Sequence, residues 1–460
     1  MTSTIRPFVF PSLPATWYIG HMSRAMREMQ QLVKSQQVDL IIETRDARLP
    51  LTSINPAFER MVNFAGQPQR SLVDIGGTKS NLPTFQPFAK RLIVYNKADL
   101  AQTTFEKPVT TALRNQGHDH VLFTDSRTDA QVKALLKQAI DIADRPLEGS
   151  QDRISVLIAG MPNVGKSSIL NALRRVGVRK GKAASTSSMP GHTRRLSTVI
   201  KVSERPPVYV YDTPGIMVPF LGRGTAGSEA ALKLALTGGI KESLFETETL
   251  SEYLLWRLRT RCELQDEGYD RGILLDSLNL PQSTSLEDPK DFFMALAHRL
   301  AAMRKGGEPD IDFAGRWLIQ SFRDGKLGRW TLDGLGRGGE AVDVAKEYQA
   351  AQEQAREPVL AKAGVSRKIA ASSEVMQVDQ AQQFEACRDT DTVVEQAVGS
   401  YLAMRANDSH DEMTSGHQAK KQAKAEQARV RNAKKRAHAV VSVRSPGGPI
   451  SSARRRKYRR

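Results

Sequence analysis

Cysteine is nearly absent from this chain, with only Cys262 and Cys387 among 460 residues. Two thiols so far apart, in unrelated contexts, exclude a disulfide framework and a cysteine-based zinc site, and they fit a reducing compartment. Long apolar runs are also missing. None approaches the roughly 18 residues that a membrane span needs, so a soluble or peripheral chain is expected. Acidic residues are scarce in two places. Before Glu28 there are none, while Arg6, Arg24, Arg27 and several Ser and Thr are present, a composition compatible with an organellar transit segment. Three prolines within residues 1–16 oppose the amphipathic helix of such a segment, so a plain N-terminal arm fits equally. The second place is residues 418–460, where 15 Lys and Arg face a single acid, Glu426. That segment carries +14 of the chain's +17, which leaves +3 for residues 1–417. A near-neutral body thus ends in a basic arm suited to a polyanion such as nucleic acid.

What is present points to an α/β fold. Six short β-like runs lie at 38–42, 92–95, 121–123, 154–159, 198–202 and 208–211, with helix-compatible stretches such as 131–140 and 168–175 between them. Nearly continuous Val, Ile and Leu with helical crossovers predict an open sheet of substantial parallel character. After Gly239 the texture changes: Leu250, Tyr253, Leu254 and Leu258 recur at helical spacing, as do Phe292, Leu296, Leu300 and Met303, and then Ala314, Trp317, Leu318 and Phe322. The predicted organisation is an N-terminal arm over 1–35, an α/β domain over 36–240, a small helical domain over 241–335, and a linker with a basic, disordered tail over 336–460. No internal repeat is evident.

Three motifs carry chemistry. Gly160-Met161-Pro162-Asn163-Val164-Gly165-Lys166-Ser167 fits the phosphate-loop pattern G-x-x-x-x-G-K-[ST], directly after one β-like run and before a helical stretch that opens with Ser168. Its glycines let backbone N–H groups approach phosphate oxygens, Lys166 would reach the β- and γ-phosphates, and the Ser167 hydroxyl would hold magnesium. Asp212-Thr213-Pro214-Gly215 ends the run 208–211, where the Asp212 carboxylate can hold the magnesium shell and the Gly215 N–H can meet a γ-phosphate. Alone, these four residues would also suit a turn. Asn96-Lys97-Ala98-Asp99 ends the run 92–95. Asp99 can accept from the ring N–H and exocyclic amine of guanine, a donor pair that adenine lacks, while Asn96 can bond N7 and Lys97 can lie along the base. Ser126, in a degenerate Thr124-Asp125-Ser126, is a further base contact, expected through its backbone.

Asn96 precedes Gly160 by 64 residues, whereas small GTPases ordinarily carry the phosphate loop first. The set therefore reads as a circularly permuted GTPase domain, which can build the same sheet because the termini of such folds lie close together. With Trp17-Tyr18-Ile19-Gly20-His21-Met22, Asp46-Ala47-Arg48-Leu49-Pro50 and Pro190-Gly191-His192-Thr193, these motifs resemble the YlqF/RbgA family of permuted GTPases of large-ribosomal-subunit assembly. Its eukaryotic organelle members are the mitochondrial ribosome-associated GTPases. The resemblance covers roughly residues 15–335 and includes Gly325-Lys326-Leu327-Gly328-Arg329. It implies GTP and GDP as ligands, the large ribosomal subunit and its rRNA as partners, and a place in the mitochondrial matrix, peripheral to the inner membrane at most. It also implies Thr193 as the switch threonine that closes on magnesium, beside Ser167 and Asp212.

The position that carries a water-orienting glutamine in Ras-like enzymes is Ile216 here, so hydrolysis is expected to be slow until another group is supplied. His21 is the candidate implied by the resemblance. His192, a group of the ribosome, and a potassium ion are its rivals. Asn163 stands where related GTPases bind potassium, against a plain turn-capping role. Arg45, Asp46 and Arg48 suit either a surface ion pair or a structured element near the nucleotide or RNA. Lys434-Lys435-Arg436 and residues 454–457 resemble nuclear import signals, which makes the nucleus or nucleolus the rival location. The rival function is an RNA-binding scaffold with structurally held GTP.

Overall fold

The computed structural model describes residues 8–12, 20–35, 37–58, 61, 90–143, 153–181, 199–218, 221–222, 224–264, 268–335 and 390–407. These all belong to one compact unit, Met1–Asp408, and the basic arm lies outside the described residues. Each of the six β-like runs is a strand: β1 (Leu40–Asp46), β2 (Lys90–Asn96), β3 (Val121–Thr124), β4 (Ile154–Gly160), β5 (Val199–Glu204) and β6 (Pro207–Asp212). They form one sheet in the order β3-β2-β1-β4-β6-β5. All pairings are parallel except β5 with β6, a hairpin at the sheet edge. Burial explains the composition: β1 is buried along its whole length and β4 beyond its first residue, so both faces demand apolar or fully paired side chains.

One face, through Leu40, Ile42, Val156 and Ile158, packs on α3 (Asp129–Ala143) and α4 (Lys166–Gly177). The other, through Ile41, Leu157 and Ala159, belongs to the cluster that holds α1 (Gly20–Lys34) and a helical region. Here the N-terminal arm expected over 1–35 needs correction. From Gly20 it is a helix, with Met22, Ala25, Met26, Met29 and Val33 buried on one stripe. The prolines that argued against a helix all precede it.

The helical region comprises α5 (Gly224–Leu236), α6 (Thr247–Leu264), α7 (Arg271–Ser277), α8 (Pro289–Arg299) and α9 (Ile311–Arg323). Asp270, Asp288 and Asp310 cap α7, α8 and α9 by accepting from the Ile273, Lys290 and Phe313 N–H groups. The expected apolar faces are inside, with Leu250, Tyr253, Leu254, Leu258, Phe292, Leu296, Ala314, Leu318 and Phe322 buried. Met303 departs from the pattern. It lies beyond the end of α8, is 47% exposed, and pairs with Pro309 in an isolated bridge.

A third apolar cluster covers the β2 side of the sheet with α2 (Glu106–Asn115). Packed on α2 is α10 (Thr390–Asn407), inside the stretch expected as linker. Its Val394, Ala397 and Val398 are buried, and Asn115 donates to Glu395 Oε1 at 2.8 Å. The Ala- and Gln-rich surroundings mask a short i, i+3, i+4 stripe that becomes decisive only once α2 offers it a partner.

Candidate nucleotide-binding site

From β1 the chain steps outward to β2 and β3, then crosses to β4 on the other side of β1 and on to β6. Loops diverge at such a switch point and leave a crevice at the carboxyl ends of the strands. Every strand-end motif faces it. Asp46, Asn96 and Thr124 stand in register across β1, β2 and β3, while Gly160 pairs with Thr44 and Asp212 with Ile158.

The phosphate loop leaves β4 and returns as the N-terminus of α4, whose first backbone N–H groups form an anion-binding end. Gly165 has a φ of 97°, and a Cβ there would sit 2.1 Å from Asn96 Nδ2, so only glycine fits against the neighbouring loop. Lys166 is buried and folds back to donate to the Met161 carbonyl at 2.7 Å. Burial brings its pKa down to about 8, helped by Lys97 and opposed by Asp212. Across from it, burial pushes the Asp212 carboxyl up, against the pull of Lys166 and the Thr213 N–H. Each group is thus set to gain from a charged ligand: the lysine from phosphate, the carboxylate from a cation. Ser167 and Ser168 are half-buried at the start of α4 and Val164 is buried behind them.

The Asn96 side chain joins both halves of the site, donating to the Val164 carbonyl at 3.0 Å and accepting from the Ser126 N–H at 3.3 Å. Lys97, at φ 62°, donates to the Asn163 carbonyl at 2.5 Å and to Asp46 Oδ2 at 2.9 Å. Asp99 is partly exposed and paired with Arg127, which also bonds Asp125 Oδ1 at 3.3 Å. Asn163 donates from Nδ2 to the Gly238 carbonyl at 2.8 Å, a tie from the phosphate loop to the segment before α6.

On the remaining side Gly215 touches the phosphate loop, since a Cβ there would lie 2.6 Å from Pro162 Cα. Thr213 donates to the Ile158 carbonyl at 2.5 Å. The Ile216 side chain is 1% exposed and belongs to the core, its N–H bonds the Gly160 carbonyl at 3.2 Å, and its own carbonyl accepts from Asn55 Nδ2 at 2.9 Å. Asn55 escaped sequence reasoning, because Asn55-Pro56 signals only a turn. His21 lies in the first turn of α1, with its side chain outside the described residues, as are His192 and Thr193 altogether. Burial decides between the two readings of Arg45, Asp46 and Arg48 in favour of a structured element: all three are at most 2% exposed. Arg45 donates to Glu43 at 2.6 Å and to the Tyr95 hydroxyl at 3.0 Å. Burial alone would raise Glu43, but Arg45 and Arg91 outweigh it and hold the carboxyl at about 2. Among the described residues no helix is long and apolar enough to cross a membrane.

The donor set suits magnesium. A serine hydroxyl at a helix N-terminus and a buried aspartate at a strand end are hard oxygen ligands of the kind that leave room for water and phosphate.

The chain is similar to known GTPases. Residues 155–254 match the family model described as a 50S ribosome-binding GTPase. The chain is 32% identical over 341 residues to Mitochondrial GTPase 1 of Schizosaccharomyces pombe, covering 70% of this chain and 90% of that one. It is 32% identical over 333 residues to Mitochondrial ribosome-associated GTPase 1 of Mus musculus, covering 69% and 90%. Ribosome biogenesis GTPase A of Bacillus cereus is 29% identical over 340 residues, covering 72% and 98%.

Proposed function

Taking as premise that this chain belongs to the YlqF/RbgA family of circularly permuted GTPases, we propose that it is a GTP-hydrolysing switch in assembly of the mitochondrial large ribosomal subunit. The observation that carries the reading is Asn96, whose one side chain ties the base-reading loop to Val164 of the phosphate loop and to Ser126. A nucleotide spanning those loops presents guanine to Asp99, which exchanges Arg127 for the donor edge of the base. Lys97 lies along the base. Lys166 leaves the Met161 carbonyl for the β- and γ-phosphates, whose charge holds it protonated, while the α4 N-terminus donates to the same oxygens. Ser167 and Asp212, joined by Thr193, hold magnesium, which supplies charge neutralisation on the phosphates.

Gly215 stands close enough to the phosphate loop for its N–H to meet the γ-phosphate, so the segment from Asp212 reads whether that phosphate is present. Ile216 is turned into the core and cannot orient water. His21 takes that role in our reading, because α1 packs into the same apolar cluster as Met161, Val164 and Ile216. Potassium at Asn163 is the alternative. The basic arm of residues 418–460 adds sequence-blind contacts to rRNA phosphates, and we place the protein in the mitochondrial matrix rather than the nucleus, a reading supported by relatives named as mitochondrial.

The test is GTP turnover by the full chain with and without mitochondrial large subunits. Stimulation of about 10²-fold or more is expected from a group that is positioned only on the particle. Tight GTP binding with no stimulated turnover would favour a scaffold that holds GTP structurally.

A further inference from the structure

The Asp46-Ala47-Arg48 element has no part in the nucleotide chemistry above, yet its two charges are buried and paired. Asp46 and Arg48 are each 2% exposed. Asp46 ends β1 beside Asn96, and the chain turns there with the Ala47 N–H on the Asn96 carbonyl at 2.9 Å. Its carboxylate is a junction. Oδ1 accepts from the Arg48 backbone N–H at 3.1 Å and from Arg48 Nε at 3.0 Å, and Oδ2 accepts from Arg48 Nη2 at 2.8 Å and Lys97 Nζ at 2.9 Å. The same ammonium continues to the Asn163 carbonyl at 2.5 Å. A line of charge thus runs from Arg48 through Asp46 and Lys97 to the backbone of the phosphate loop.

The line has a physical purpose at each end. Lys97 carries a flexible four-carbon stem on a left-handed backbone, and its ammonium would reach water if nothing opposite held it. Burial and the nearby Arg48 draw its pKa down, while Asp46 favours the charged form. At the other end Arg48 leads to the helical region: its carbonyl accepts from the Leu332 N–H at 2.8 Å, and its guanidinium carbon lies 5.7 Å from the centre of the Phe322 ring.

We infer that Asp46 is a positioning residue of the nucleotide site, holding the Lys97 ammonium against the phosphate loop and anchoring it through Arg48 to the helical region at Phe322 and Leu332. The inference rests on the reading of this crevice as a guanine-nucleotide site. Asp46 touches no nucleotide in that reading. It sets the spacing between the loop that reads the base and the loop that holds the phosphates, so its removal acts through Lys97.

A double-mutant cycle on the full chain separates this from a purely structural role. Dissociation constants for fluorescent GDP and GTP are measured for the wild type, Asp46→Asn, Lys97→Met and the double variant. Each single variant should weaken binding about tenfold or more, the scale of a lost charge-assisted hydrogen bond. The double variant should bind no more weakly than Lys97→Met alone, since Asp46 has nothing left to position. Independent, multiplying effects would overturn the inference, as would an unchanged constant for Asp46→Asn. Should Asp46→Asn fail to fold, Asp46→Glu keeps the charge, displaces the carboxylate by one methylene, and takes its place in the cycle, where the same results support or overturn the inference. A wild type that binds ATP as tightly as GTP refutes the nucleotide reading itself, whatever the cycle gives.

Discussion

Gly215→Ala tests the contact between the Asp212 segment and the phosphate loop. The added methyl carbon would lie 2.6 Å from Pro162 Cα, 2.7 Å from its N and 2.9 Å from its Cγ, where ordinary contact begins at 3.4 Å. Two of those atoms are backbone and the third belongs to a rigid ring, so the segment itself must withdraw by about 0.8 Å to restore van der Waals distance. Its anchors resist. Ile216 is gripped by the Gly160 carbonyl, by Asn55 Nδ2 and by the core around its side chain. Overpacking of this kind costs about 1–3 kcal/mol, which should appear as a modest loss of thermal stability. Hydrolysis should suffer more, because a displacement near 1 Å at a reacting phosphate costs about 10²-fold in rate. GDP, which lacks the γ-phosphate that Gly215 would meet in the proposed site, should bind almost as in the wild type. Single-turnover GTP hydrolysis on large subunits, beside GDP binding, measures both. Hydrolysis at the wild-type rate would refute the reasoning, and an equal loss of GDP affinity would show that the methyl had deformed the whole loop.

Asp99→Asn should move nucleotide preference from guanine toward xanthine, because the new amide can donate to the carbonyl of xanthine; competition binding with GTP, XTP and ATP checks it. Lys166 has a pKa near 8 without ligand, and phosphate raises it, so nucleotide binding takes up a proton above that pH. Affinity for GDP should be flat below pH 8 and fall as pH rises above it, up to about tenfold per unit, with heats of binding that depend on buffer ionisation. Val398→Ala removes two buried methyl groups from the contact between α10 and α2 and should cost about 2 kcal/mol of stability while leaving nucleotide affinity unchanged, as read by denaturant titration with and without GDP. His21→Ala should lower subunit-stimulated hydrolysis by about 10²-fold with GTP affinity intact, and unchanged turnover would move that role to His192, potassium or the ribosome.

Local chemistry alone decided much of this protein. Runs of Val, Ile and Leu made the six strands legible, because strands buried on both faces tolerate little else. The motifs could be recognised as they stood, since the phosphate-loop pattern sets Gly165 and Lys166 at a fixed spacing, and a carboxylate at Asp99 is what guanine reading would use. Their order alone revealed the permutation. Where apolar stripes were short, the sequence was silent: α1 and α10 are helices because Met29 and Val398 find covers that are far away in the chain. Partnership between distant charges was hidden for the same reason. Asp46 and Arg48 read equally as a surface ion pair or a structured element, and Lys97 as a base contact, until the parallel register of β1 and β2 places them side by side and the helical region closes over them. Asn55 gained its hold on Ile216 in the same way, across 161 positions of chain. Spacing along a chain sets which groups can act locally; only the packing of strands and helices decides which buried charge faces which.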